Sequence, residues 1–248
     1  MFLVLNRKIC VISLATVISA LLVTFGGVLV VSNSGEKKIP IYSVERADNN
    51  ISLTFNCAWG DEDIPQILEV LNKYNIKSTF FVVGTWAEKY PESLKKISES
   101  GHEIGGHSYN HGHYQNMSYD EILKDLDSCD SAVERVISTD ISLVRGGFGE
   151  YNNDVIDACG STNRTYIQWS VDSLDYKAKS AEEIKNRVLE KVKSGDIILM
   201  HTGTEFTAAA LDSLLVELTK DFKPVTVSDL IYTESFIIDV TGKQKSTA

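Results

Sequence analysis

From Ile51 onward, short apolar runs alternate with longer segments whose apolar residues recur every three or four positions. Ile51-Ser52-Leu53-Thr54-Phe55 alternates and reads as a strand. Ile64, Ile67, Leu68 and Leu71 then share one helical face, predicting a helix over 61–74 with acidic residues in its first turn and Pro65 near its start. Thr79-Phe80-Phe81-Val82-Val83, ended by Gly84, reads as a buried strand. A second helix is expected over 91–100, closed by Gly101, then a short strand at 103–104. Ser118-Tyr119-Asp120-Glu121 has the spacing of a capping box and opens a helix running to about Ile137. Strands at 143–144, 165–169, 197–200 and 224–227 then alternate with helices at 153–158, 181–193 and 206–220.

This repetition predicts an α/β fold, a parallel sheet with helices outside, either open and doubly wound or closed as a β/α barrel. Both arrangements gather the active site at the carboxyl ends of the strands. The polar clusters follow strands: Asn56-Cys57, His107 to His111, Arg145, Asp172 to Asp175, and His201. His107 and His111 are four residues apart beside Gly105-Gly106. On a helical turn both rings would point one way, as a metal held by two nitrogens requires; a polar surface loop gives the same spacing. No GxGxxG, Walker A or GxSxG sequence follows a strand, which disfavours dinucleotide, nucleotide triphosphate and serine-hydrolase chemistry.

The 248 residues suffice for one full-sized domain and a short extra segment. The formal net charge of −10, with no long basic run in the body, argues against nucleic acid as a partner. The extra segment is at the N-terminus. Arg7 and Lys8 precede an uncharged run from Ile9 to Val31, about the length that spans a bilayer as a helix and longer than the core of a cleaved signal peptide. A single transmembrane signal anchor over 9–31 is therefore expected. Residues 1–8 would be cytoplasmic, 32–50 a linker, 51–232 an extracytoplasmic domain and 233–248 a polar tail carrying Phe236-Ile237-Ile238. The four cysteines, Cys10, Cys57, Cys129 and Cys159, show no paired spacing.

Taken in order, these segments resemble the polysaccharide deacetylases, the NodB-homology carbohydrate esterases. The likeness runs from about Ile51 to Leu230. It is carried by the strand before Asn56, by Ser78-Thr79-Phe80-Phe81-Val82, and by Gly101-His102-Glu103-Ile104-Gly105-Gly106-His107-Ser108-Tyr109-Asn110-His111. Arg145-Gly146-Gly147-Phe148-Gly149, Asp172-Ser173-Leu174-Asp175-Tyr176 and Leu199-Met200-His201 complete it. Trp59-Gly60-Asp61 and Ser170-Val171-Asp172-Ser173 are most similar to the sporulation-type branch.

The resemblance implies a distorted β/α barrel and metal-assisted removal of N-acetyl groups from a glycan, peptidoglycan above all. A divalent ion, zinc or cobalt, would be held by His107 and His111, polarising the acetyl carbonyl and activating water. His201 would be the general acid and Asp175 would orient it. Arg145 would position the catalytic carboxylate, and a backbone N–H near Phe148 would stabilise the oxyanion. Trp59 and Tyr109 are candidates for a sugar groove, with core packing as the alternative.

The departures from the family pattern bear on the chemistry. Asn56 stands where the family places the aspartate that serves as general base, and an amide takes no proton at neutral pH. Cys57 stands where a second aspartate often binds the metal; it is either a thiolate ligand completing a Cys/His/His set or a small buried residue. Gly147 replaces a proline and Tyr176 a tryptophan. Asp61 and Asp63 are expected to open the following helix, and His102 and His113 to be surface or structural. The oligomeric state is not legible in the sequence.

Overall fold

The computed structural model describes residues 36–248, so the expected anchor at 9–31 lies outside the described residues. Among those described, no helix is long and apolar enough to cross a membrane. Residues 37–248 form one compact unit.

Its centre is strand β2 (Asn50–Cys57), seven of whose eight residues are buried. It lies between β3 (Thr79–Val82) and β8 (Ile197–His201), both parallel to it. The sheet continues outward from β3 through β4 (Glu103–Gly106) and β5 (Leu143–Val144) to β6 (Thr165–Tyr166), and from β8 to β7 (Val171–Asp172), every pairing parallel. The sheet is a partial barrel rather than a closed one. β6 and β7 are its two edges, and Ile41 bridges to Ile167 beside β6.

Strand alternation sorts the residues of β2 onto two faces. Leu53, Phe55 and Cys57 join the main apolar core, which also holds Ile64, Ile67 and Leu71 of the helix Ile64–Lys73 and Leu211, Leu214 and Leu215 of the helix Thr207–Asp221. Thr54 and Asn56 lie on the other face, where both accept hydrogen bonds from Arg145. The register sets Asn56 level with Phe81 on one side and His201 on the other. Phe81 in turn opposes Gly105, where an added Cβ would come within 2.7 Å of the Phe81 ring.

The amino-terminal end of the barrel is closed by segments expected to be linker, strand and tail. Lys223–Pro224 (β9) pairs with the start of β2, but the expected strand over 224–227 turns into a helix at Val227–Leu230. Thr226 caps that helix, and the Val227 N–H donates to Thr79 Oγ1 and Glu103 Oε2 at the starts of β3 and β4. Val227 and Leu230 pack with Ile41, Val44, Ile197 and Phe81 as a second apolar cluster. Ser43–Val44 (β1) lies beside Gly195 and Asp196, just before β8. The expected tail is a hairpin of Phe236–Ile238 (β10) and Lys243–Ser246 (β11), and β11 pairs in parallel with β1.

Candidate active site

The polar face of β2 opens at its carboxyl end into a cavity of about 320 Å³. Asn56, Trp59, His111, Phe148, Trp169, Asp172, Tyr176 and His201 line it. Behind Asn56 is Arg145, which follows β5 and is fully buried over the Phe81 ring, 4.0 Å from its centroid. Arg145 Nη1 donates to Thr54 Oγ1 (2.9 Å) and Asn56 Oδ1 (3.0 Å), Nη2 to the Gln168 carbonyl (3.1 Å) and Nε to the Ile167 carbonyl (3.4 Å). Every acceptor is neutral. Burial pushes the guanidinium down to about 9. Because Asn56 turns its oxygen toward Arg145, its amide nitrogen is left for the cavity side, an assignment that rests on this hydrogen bond.

Across the cavity His201 has its polar partner behind it. Its Nδ1–H donates to Asp175 Oδ1 at 2.7 Å, which leaves Nε2 free to face the cavity. Asp175 also accepts from the His201 N–H (2.6 Å), the Thr207 hydroxyl (2.7 Å) and the Tyr176 N–H (2.9 Å). Such a complement of donors suits an ionised carboxylate. Trp59 stacks on the His201 ring at 5.1 Å and Tyr176 meets it edge-on at 5.5 Å.

The histidine pair comes from the loop after β4. It is not a helical turn: Ser108 and His111 both adopt positive φ, +61° and +58°. His107 Nδ1–H donates to the Arg145 carbonyl at 2.7 Å, while its Nε2 is buried with no partner. The ring of His111 stands edge-on to it, 5.0 Å away. Burial, and then its neighbour His111, hold His107 neutral; burial and His201 lower His111. A neutral imidazole with a bare, buried nitrogen beside a second neutral imidazole fits two positions of a metal site.

A third ligand does not join them. Cys57 packs in the outer core with Phe55, because alternation along β2 turns it away from the face that carries Asn56. Burial raises its thiol far above the usual range, so a thiolate is disfavoured there. Among the described residues no group of three His, Cys, Asp or Glu side chains is placed to hold an ion. Cys57 as a metal ligand is thus corrected. Tyr109 does not line this cavity: its ring packs over Gly84 and its hydroxyl donates to Glu88. Asp63 is at the start of the helix Ile64–Lys73, as expected, and its Oδ1 accepts from the Gly203 N–H.

Phe148 lines the cavity, more than half exposed, with φ +59°. His113 stacks flat on it, 4.1 Å between centroids and 5° between planes, and is itself held by Glu150. Thr207, Trp169 and this role of His113 were not expected from the sequence. Thr207 carries no motif, while Trp169 sits one residue before the Ser170-to-Ser173 segment that does.

Residues 43–167 match the polysaccharide deacetylase family model. The chain belongs to the polysaccharide deacetylase family. Among the proteins it is similar to, the Bacillus subtilis protein YlxY is 32% identical over 193 residues, 77% of this chain and 60% of that one. A peptidoglycan-N-acetylglucosamine deacetylase of Bacillus cereus is 32% identical over 188 residues, 74% of this chain and 68% of the relative. The chain therefore spans about three-fifths to two-thirds of these relatives' length. Among solved structures, BA3943 of Bacillus anthracis, described as a CE4 family pseudoenzyme, superposes with a TM-score of 0.74 at 31% identity, covering 77% of this chain and 68% of that one. A mutant of BA3943 with restored enzymatic activity superposes with a TM-score of 0.75.

Proposed function

We propose that this polysaccharide deacetylase homologue is a membrane-anchored, extracytoplasmic protein that engages an N-acetylated cell-wall glycan, peptidoglycan first, and that its hydrolysis is impaired at water activation. One observation carries this reading: in the cavity that His111 and His201 line, position 56 carries an amide, Asn56, held by Arg145. Deacetylation adds water across the amide and yields acetate and an amine. A divalent ion, zinc or cobalt, held by His107 Nε2 and His111 would supply carbonyl polarisation and a more acidic water. His201 would hand a proton from Nε2 to the leaving amine, with Asp175 fixing the ring through Nδ1. Trp59, Tyr176 and Phe148 offer ring faces on which a sugar can stack. The proton of the attacking water has no acceptor at position 56. The sporulation role belongs to the same proposal, on the 59–61 and 170–173 segments alone.

The test is acetate release from peptidoglycan and chitin oligomers by the metal-loaded chain. The wild type should stay near background. Asn56→Asp should raise the rate on the order of 10²–10⁴-fold, the span of general-base contributions. A wild type that already matches Asn56→Asp would sink the impaired reading. A relocated base is the second reading, favoured by one observation: Asp172 lines the same cavity, its Oδ1 accepting from the Leu174 N–H. On that reading, Asp172→Asn should abolish whatever acetate release the wild type shows.

A further inference from the structure

The two histidines of the pair are held in different ways. His107 directly follows β4; its N–H donates to the Val82 carbonyl at 2.9 Å and its ring to the Arg145 carbonyl. The sheet itself therefore fixes it. His111 belongs to no strand or helix, and the rings of His107 and Phe148 flank it. Where its nitrogens point depends on the loop over 108–113. Ser108 and His111 take positive φ in that loop without being glycine, a conformation that persists only where the surroundings impose it.

The Ser108 and Tyr109 carbonyls accept from the N–H groups of Gly84 (3.0 Å) and Thr85 (2.8 Å), at the start of the helix Gly84–Lys89. Within the loop, Ser108 Oγ accepts from the Gly112 N–H at 3.2 Å. The remaining hold is Asp125, on the helix Tyr119–Glu134. Its Oδ1 accepts from the Tyr109 N–H at 3.0 Å and from the Tyr114 hydroxyl at 2.8 Å. One carboxylate oxygen thus ties the chain two residues before His111 and three residues after it. The anchor is itself fixed: Ser118 and Glu121 cap its helix, Ile122, Leu126 and Cys129 bury one face of it, and Tyr114 is fully buried. Asp125 does not line the cavity.

We propose that Asp125 is a positioning residue for the metal: by tying both sides of the loop to the helix Tyr119–Glu134, it sets His111 where it can meet an ion together with His107. This rests on the metal-binding part of the proposed function. Asp125 acts through the backbone of Tyr109 and the side chain of Tyr114 and does not touch the ion. Tyr109 accordingly serves the site by its main chain, not by its ring.

Zinc affinity of the full chain, read by competition with a chromophoric chelator, tests this beside the urea midpoint of the metal-free chain. Asp125→Ala should weaken zinc binding about 10–100-fold, the usual cost of losing a residue that supports a ligand. Asp125→Asn keeps an oxygen for both donors and should bind within about threefold of the wild type. Ser118→Ala strips the cap from the same helix; it should lower the urea midpoint and leave zinc binding within about threefold of the wild type. A loss of less than about threefold in Asp125→Ala overturns the proposal. So does an equal loss in Ser118→Ala, which would make the effect one of helix stability, or in Asp125→Asn, which would make it one of charge. Should Asp125→Ala not fold, Tyr114→Phe decides, since it removes one of the two ties: zinc binding weaker by about threefold or more upholds the role, and a smaller loss overturns it. A wild type that binds no zinc, or His107→Ala and His111→Ala variants that bind it as the wild type does, would overturn the metal reading and this inference together.

Discussion

Arg145 and Asn56 together explain why this site differs from one built on an aspartate. A fully buried guanidinium with four neutral acceptors has lost hydration and gained no opposite charge. Asn56→Asp would place a carboxylate oxygen where Oδ1 now accepts from Nη1. Hydrogen bonds to charged groups contribute about 1.5–3 kcal/mol, so the variant should unfold at higher urea. Arg145 would hold the new carboxyl below its ordinary pKa. The gain should be full above about pH 4 and disappear as the pH falls through the lowered value. Urea midpoints at pH 7 and pH 3 check both halves, and an unchanged midpoint at pH 7 would contradict the charge argument. His113 is a second residue whose effect is indirect. Its flat stack on Phe148 is of a kind valued at about 0.5–1.5 kcal/mol, so His113→Ala should weaken retention on insoluble peptidoglycan about two- to tenfold, and His113→Phe should restore most of it. Equal retention by all three proteins would remove Phe148 from the binding surface.

At the scale of elements, β3 and β4 are joined by more than their ladder. His102, just before β4, accepts from the Ser78 N–H through Nδ1 and meets Phe80 edge-on. Burial lowers it to about 4. Its pKa is near 6.5 unfolded, so the unfolded chain binds the extra proton first. Stability is full above about 6.5 and falls by up to about 1.4 kcal/mol per pH unit down to about 4. His102→Gln should flatten that slope in melts between pH 7 and 4, whatever it does to stability at pH 7. Gly105→Ala on β4 probes the neighbouring contact, since its Cβ would press into the Phe81 ring that supports Arg145. A cost of about 1–3 kcal/mol is expected in urea unfolding.

These elements also show what the sequence could reveal. β2, β3, β8 and the helices against them were legible because their apolar periodicity comes from the burial that organises them. His201, Asp175, Arg145 and the histidine pair were legible through their order along the chain. The loop geometry was not: Ser108, His111 and Phe148 take positive φ without being glycine, held there by tertiary contacts. The side to which Cys57 turns was legible: the period that sets Ile51, Leu53 and Phe55 on one face carries Cys57 to the same face. Val225-Thr226-Val227 has strand composition, yet Thr79 and Glu103 capture the Val227 N–H and a helix begins there.

For the whole molecule, the 37–248 body is one cooperative candidate, and its last residues belong to it. Truncation at Tyr232 would remove β11, the partner of β1, together with β10, and uncover Val44 and the second apolar cluster. Such a chain should melt well below the full one, and it should bind a dye specific for exposed apolar surface at temperatures where the full chain does not. Indistinguishable melts would show that the hairpin is an appendage.

The pairing of Ser43 with Lys243 also bears on the order of folding. The partners are 200 residues apart, and loop-closure entropy opposes contacts so distant until the intervening chain has condensed. A chain made from its N-terminus presents β1 well before β11. The seal at the amino end of the barrel therefore cannot form until the chain has been made past β11. Until then Ile41, Val44 and Val227 have no finished cover, which makes this end the place where an unfinished chain is most open to aggregation or a folding helper.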